Sequence, residues 1–266
     1  MDDWRGFSLP QDSTGELALY GPPPWHFEGV SASIFLSYDS QRAAALVPPP
    51  LKLFGDPVAR LSVHDLVCDY GLGEEFVQRN PDIALLGEAV VGFLVEHDGV
   101  VGQWCPYLWC TTDAEFAVGR EFYGWSQQIG EMCLTRKPFR GWRSGDAISG
   151  LVSRGNRAVF ELEISLDNTG EDPREMFPTQ STANHHYTQT ALPDPVEPEI
   201  IRRRLYRTAM QDVEISDTWF GTGQVQIAAP ELEFLVDSVP LGGRWSTISW
   251  TKPYPDQLVH EEKAEA

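Results

Sequence analysis

Residues 115–131 read EFAVGREFYGWSQQIGE, and the remainder of the chain is best read outward from them. Ala114, Ala117 and Val118 recur at helical spacing, which predicts a helix over 113–125. Thr111 or Thr112 can cap it by accepting an orphan backbone N–H. Ser126, Gln127 and Gln128 then lead into a strand predicted over 129–136. A glutamine amide is not a usable nucleophile and carries no charge. It donates two N–H groups and accepts through one oxygen. Gln127 and Gln128 therefore read either as donors that hold a carbonyl oxygen while negative charge develops on it, or as amides that only fill space. Ser126 offers a weaker version of the same role, because no histidine lies near it in sequence to activate it.

Upstream, 84–95 and 99–110 form the clearest hairpin, with Asp98-Gly99 as its turn signal. Glu88 opens the first arm. If it faces an apolar pocket, burial raises its pKa and makes it a proton shuttle; otherwise it is a solvated carboxylate. The second arm carries Trp104 and Trp109, which with Trp125 offer aromatic walls. The valine- and leucine-rich run 57–68 reads as a strand on which Ser62 and His64 face the same way. His64 is either a base or a structural histidine. Residues 31–38 read as a strand and 41–47 as a short helix, capped by Asp39 or Ser40 and stopped by Pro48–Pro50. A loop is expected over 71–81, and residues 1–20 read as an N-terminal arm, either a tail or a segment that contacts a partner.

Downstream, strands are expected over 146–154 and 158–166, joined by a turn at 153–156. A polar loop follows over 167–183, and a strand reopens at 184. Residues 201–217 read as one long strand, 219–223 as a turn, and 231–234 and 246–250 as the last strands. Residues 256–266 read as a flexible tail. Adjacent His185 and His186 point to opposite faces of a strand and do not easily bind one ion, so no metal is expected. Arg202, Arg203 and Arg204 form a basic cluster that suits an acidic partner, an anionic ligand or a solvated strand edge.

The formal charge is −19, from 20 basic and 39 acidic side chains in 266 residues. That excess argues against binding nucleic acid or an anionic membrane. No apolar run reaches the roughly 20 residues of a membrane helix. Four cysteines in a chain of this length do not suggest a disulfide scaffold, so reduced thiols and a cytoplasmic setting are expected.

The stretch AVGREFYGWSQQIG resembles the lysine-bearing segment of the acetoacetate decarboxylase superfamily, whose pattern runs A-x-G-R-E-x-x-x-[YFW]-P-K-K-[LI]-[GA]. Ala117, Gly119, Arg120, Glu121, Trp125, Ile129 and Gly130 fit that pattern; Ser126, Gln127 and Gln128 replace its proline and two lysines. GPPPW at 21–25, ALVPPPL at 45–51, Glu88 and WFGTG at 219–223 resemble further family segments in the same order. The resemblance implies an α+β, mainly antiparallel domain over 21–255, a β-cone or barrel around a buried pocket with few helices. Such proteins are commonly homo-oligomers.

In that family the first lysine condenses with a ketone to give an imine. The family's arginine would fall near Val30, and Ser62 stands where a pocket glutamate is expected. The departures imply the scaffold without imine chemistry. One expectation is an enzyme of secondary metabolism that needs no cofactor and acts on a carbonyl-rich, polyketide-like or β-keto small molecule. It would cyclise, dehydrate, isomerise or decarboxylate its substrate through an enol, with Glu88 and Gln127 catalytic and Gln128, Ser126, His64, Ser62, Trp104, Trp109 and Trp125 binding substrate. The alternative is an inactive pocket that binds a ligand or scaffolds a partner.

Overall fold

A computed structural model of the protein describes residues 7, 8, 14–16, 18–167, 185–194, 196, 197, 199–255 and 257–265. Its strands are β1 (Trp25–Ser37), β2 (Lys52–Leu53), β3 (Val58–Cys68), β4 (Leu85–His97), β5 (Val100–Cys110), β6 (Gln127–Ile129), β7 (Glu131–Leu134), β8 (Ala147–Arg154), β9 (Arg157–Leu166), β10 (His185–Pro193), β11 (Ile200–Ala209), β12 (Gln211–Ile227), β13 (Val239–Lys252) and β14 (Gln257–Glu265). Short helices α1 (Ser40–Ala44), α2 (Glu74–Arg79), α3 (Pro81–Ala84) and α4 (Asp113–Ala117) interrupt them. The class is the expected mainly antiparallel α+β. Among the described residues, parallel pairing is confined to β5 with β6 and β5 with β10.

The strands form one sheet in the order β14-β11-β10-β5-β4-β3-β1-β13-β12-β9-β8-β7. A barrel closes only when its terminal strands pair. Here β14 and β7 end the path without pairing to each other, so the expected β-cone or barrel is corrected to an open sheet. The edges suit that state. β14 carries Glu261, Glu262 and Lys263, and β7 exposes Glu131; charged edges resist further strand addition. Among the described residues no helix is long and apolar enough to cross a membrane. The four cysteines are free, and all but Cys133 are buried.

Side-chain alternation on the central strands separates core from pocket. On β1, Ala32, Ile34 and Leu36 join the main core, while Phe27, Ser31, Ser33 and Phe35 face a pocket. On β3, Leu61 and Val63 go to the core and Arg60 and His64 to the pocket. On β4, Ala89 and Val91 alternate with Glu88 and Val90 in the same way. The predicted hairpin forms as β4 and β5, with Asp98 (φ 51°) and Gly99 (φ 76°) both in the left-handed region its two-residue turn requires.

Several local expectations change. The 71–81 loop contains α2, whose first turn places Glu74 and Glu75 at the favourable end of the helix dipole. The helix predicted over 113–125 stops as an α-helix at Ala117 and continues as a π turn over Val118–Tyr123. Thr112 caps α4 by accepting from the Glu115 amide at 3.3 Å. The strand read over 201–217 is two strands, broken at Met210, and β12 runs straight through the expected turn at 219–223. Residues 231–234 lie in a 3-10 turn, Pro230–Leu235, that buries Leu232 and Leu235. The stretch read as a tail forms β14 and pairs with β11. The basic cluster meets acids of its own chain there: Arg203 reaches Glu262 at 3.2 Å, Arg204 reaches Glu261 at 3.4 Å, and Arg202 reaches buried Asp194 at 2.6 Å. The loop expected over 167–183 lies, beyond Asp167, outside the described residues, as does much of the amino-terminal arm.

Candidate active site

The strand registers bring pocket residues from distant parts of the chain into rows. Ser246, Ser31, His64 and Glu88 stand opposite one another across β13, β1, β3 and β4. The next row along the strands is Arg244, Ser33, Ser62 and Val90. Hydroxyls link the rows: Ser33 Oγ is 2.8 Å from Ser62 Oγ and 3.3 Å from Ser31 Oγ. Arg60, opposite Phe35, adds a second guanidinium to this end, where its Nη2 donates to Gln103 at 3.1 Å.

The other end is aromatic. Phe27 and Trp250 stack with centroids 4.9 Å apart, and Trp125 meets the His186 ring edge-on at 5.3 Å. Here the π turn and β6 deliver Gln127. Gly124, at φ 77°, ends the turn, and Arg120 Nη1 holds the Gln127 carbonyl at 3.2 Å. Gly119 is required for this passage: a Cβ there would lie 1.4 Å from Gln127 Oε1. Gln127 Nε2 donates to Glu115 Oε1 at 3.1 Å, and Tyr70 donates to Glu115 Oε2 at 3.4 Å. Lys252 Nζ approaches the same Oε1 to 4.0 Å and lies over the rings of Tyr123, Trp125 and Phe27 at 4.2, 5.3 and 5.5 Å.

The cavity between these ends encloses about 1110 Å³ of atom-free space, open mouth included. Burial pushes the Glu88 carboxyl up to about 7; Glu115 adds to the rise, while Lys252 and Arg60 oppose it. The surface Glu88 retains is on the pocket wall. Burial also raises Glu115, against the pull of Lys252, Gln127 and Tyr70. His64 and His186 are held down to about 3, by burial first and then by Arg60.

Both imidazoles are thus neutral in the folded protein across the physiological range. Unfolded, they would bind protons below about pH 6.5. The stability they contribute is present above that pH and is lost as pH falls toward 3. Ring NMR signals of His64 and His186 are expected to stay flat from pH 8 to 5 while the unfolding temperature falls below pH 6.5. A ring signal titrating near 6.5 would contradict this.

Of the residues singled out in the sequence, Glu88, Gln127, His64 and Trp125 line the cavity. The others do not line it. Gln128 pairs with Trp109 while Gln127 pairs with Leu108, so adjacent side chains of β6 take opposite faces. Ser126 donates to the Cys105 carbonyl at 3.1 Å; Ser62 shares the face of Arg60 and His64 but is fully buried beside the Ser33 hydroxyl, 2.8 Å away, and does not line the cavity. Trp104 donates to the Leu46 carbonyl at 2.8 Å, and Trp109 sits in the main core.

A family model described as acetoacetate decarboxylase (ADC) matches residues 8–251. The chain belongs to the acetoacetate decarboxylase family. No curated protein matches it. Solved structures repeat the fold at low identity. An acetoacetate decarboxylase-like enzyme from Sphingomonas wittichii RW1 superposes with a TM-score of 0.82 at 18% identity, covering 98% of this chain and 99% of that one. The enduracididine biosynthesis enzyme MppR, complexed with the condensation product of pyruvate and imidazole 4-carboxaldehyde, gives 0.79 at 24%, covering 100% and 98%. Acetoacetate decarboxylase from Legionella pneumophila gives 0.74 at 16%, covering 92% and 90%.

Within this family member, sequence reading missed Arg60, Arg244, Lys252 and His186 as pocket groups, and Glu115 as the buried carboxylate behind Gln127 and Lys252. Arg60 had a signal, since it shares the strand parity of Ser62 and His64. Lys252 shares the parity of Ser246, Ile248 and Trp250 but lies two residues beyond where the strand was expected to end. The guanidinium groups in the lining come from β3 and β13, not from the region of Val30.

Proposed function

We propose that the protein is an enzyme of secondary metabolism that moves a proton on a small carbonyl compound bearing an acidic group. The observation that carries this is the composition of one pocket: a buried carboxyl poised near neutrality, Glu88, set among Arg60, Arg244 and Lys252. A proton-transfer group works best when its pKa lies near the working pH. Three cations in the pocket of a chain with net charge −19 favour an anionic ligand. With Glu88 ionised, its carboxylate takes the proton from the carbon beside the carbonyl, and the bond electrons move onto the carbonyl oxygen as an enolate. Returning the proton at another atom isomerises the substrate, and a β-hydroxyl leaving the enolate as water, with the proton returned by Glu88, gives dehydration; in a β-keto acid, loss of CO2 instead sends the C–C bond electrons onto the same oxygen, and Glu88 returns a proton to the carbon of the resulting enol. MppR, an enzyme of enduracididine biosynthesis seen with pyruvate, supports the carbonyl class and the biosynthetic setting.

The test is deuterium exchange into pyruvate and acetoacetate in D2O, followed by proton NMR. Exchange above the buffer rate that saturates with substrate is the expected result. Saturable binding without exchange would leave a ligand-binding protein in place of an enzyme.

A further inference from the structure

Resting on that reading of the pocket, we infer that Lys252 is the residue that receives the negative charge on the substrate's carbonyl oxygen. The sequence offered Gln127 and Gln128 for this task, but one N–H of Gln127 is taken by Glu115 at 3.1 Å, which leaves a single neutral donor, and Gln128 does not line the cavity. Lys252 comes from β13 and converges on the same carboxylate oxygen, so it brings an ammonium to the Gln127 side of the cavity. Its side chain is 7% exposed. Its contacts are the Glu115 carboxylate at 4.0 Å and three ring faces, and it makes no hydrogen bond among the described residues. Ring faces attract a cation without using its N–H groups. A carboxylate at 4.0 Å is beyond the usual hydrogen-bond distance. The three donors of the ammonium are therefore available to the cavity that Lys252 lines.

The mount is rigid. Tyr123 closes the cage and donates its hydroxyl to the carbonyl of Pro253, the residue after Lys252, so the ring and the strand end are fixed together. Glu88 lines the same cavity as Lys252 and Arg60, and both cations act on its charge. A ketone whose acidic group pairs with the Arg60 and Arg244 end would point its carbonyl at Lys252 and its α-carbon at Glu88. The proton then passes to Glu88, the C–H electrons form the enolate C=C bond, and the oxygen anion is held by the ammonium. The transfer needs no oxidant and leaves no covalent adduct.

Lys252→Met keeps the length and removes the charge. The expected result is a loss of about 10²–10³ in kcat for exchange into pyruvate or acetoacetate, the range for removing one preorganised oxyanion donor, with KM little changed because the charge appears only in the transition state. Lys252→Arg is expected to recover part of the rate. Since Lys252→Met strands a buried carboxylate, the double variant Lys252→Met/Glu115→Gln is measured beside it, with circular dichroism to establish folding. Folded variants that exchange at the wild-type rate, while Glu88→Gln does not, would overturn the role of Lys252 and leave the proposed function standing. A borohydride-trapped adduct on Lys252 would overturn it too, by making the amine a nucleophile. Absence of exchange by wild type would remove both.

Discussion

Glu88→Gln is expected to abolish most of the α-proton exchange, by about 10²–10⁴-fold, while the protein stays folded. The substitution is nearly isosteric and keeps a polar head on the pocket wall, but an amide does not shuttle the proton. The same residue sets the pH profile. With its carboxyl pushed up to about 7, kcat/KM for the base-dependent step should rise through that pH in wild type and lose this limb in the variant. Stability should move the other way. The folded pKa lies above the unfolded value of about 4.3, so the contribution of Glu88 is fully present below pH 4.3 and is lost as pH rises through about 7. At pH 8 wild type holds an ionised carboxylate against burial, and Glu88→Gln should be at least as stable there by thermal denaturation. An inactive variant that is also less stable at pH 8 would mark Glu88 as structural; an active one would remove it from the chemistry.

The fold class could be read from the sequence because alternation and turn residues are local signals. The hairpin at Asp98-Gly99, the cap at Thr112 and the alternation of β1 and β3 each need only neighbouring residues. Closure was not legible. Whether β14 meets β7 depends on twist accumulated over the whole sheet, and the charged residues that end it sit in a stretch that reads as a tail. The site was legible where parity along one strand was enough, as for His64, and where the family resemblance reached, as for Glu88. It failed where a bulge intervened. Across β4 and β5 the register slips between Val91 and Phe93, with Cys105 and Pro106 opposite Gly92, so the pocket-facing parity switches from Gln103 and Cys105 to Leu108. Lys252 was missed for a different reason. Its chemical meaning comes from Glu115, 137 positions away, and from three rings on two other segments, none of which a local pattern connects.

The bulge also decides what Trp109 does. Trp109→Ala is expected to cost about 3–5 kcal/mol of stability, the range for deleting a large buried aromatic ring, measured as a shift in the denaturation midpoint at unchanged slope. The ring is fully buried in the main core, edge-on to Phe160 at 6.2 Å and parallel to Tyr107 at 6.1 Å. Its indole N–H has no partner among the described residues. Truncation leaves a cavity between β5 and β9 that strands tied into the sheet on both sides cannot collapse to fill. Against a total of roughly 5–15 kcal/mol for a folded domain, that loss is large enough to populate unfolded chains near physiological temperature. Trp109→Phe should cost less than Trp109→Ala, because it fills part of the space and removes the unpaired N–H. Neither variant should raise KM when assayed below its unfolding temperature, since Leu108, not Trp109, lines the cavity. A raised KM at intact stability would place the indole on the pocket wall and put the parity switch at Pro106 in error.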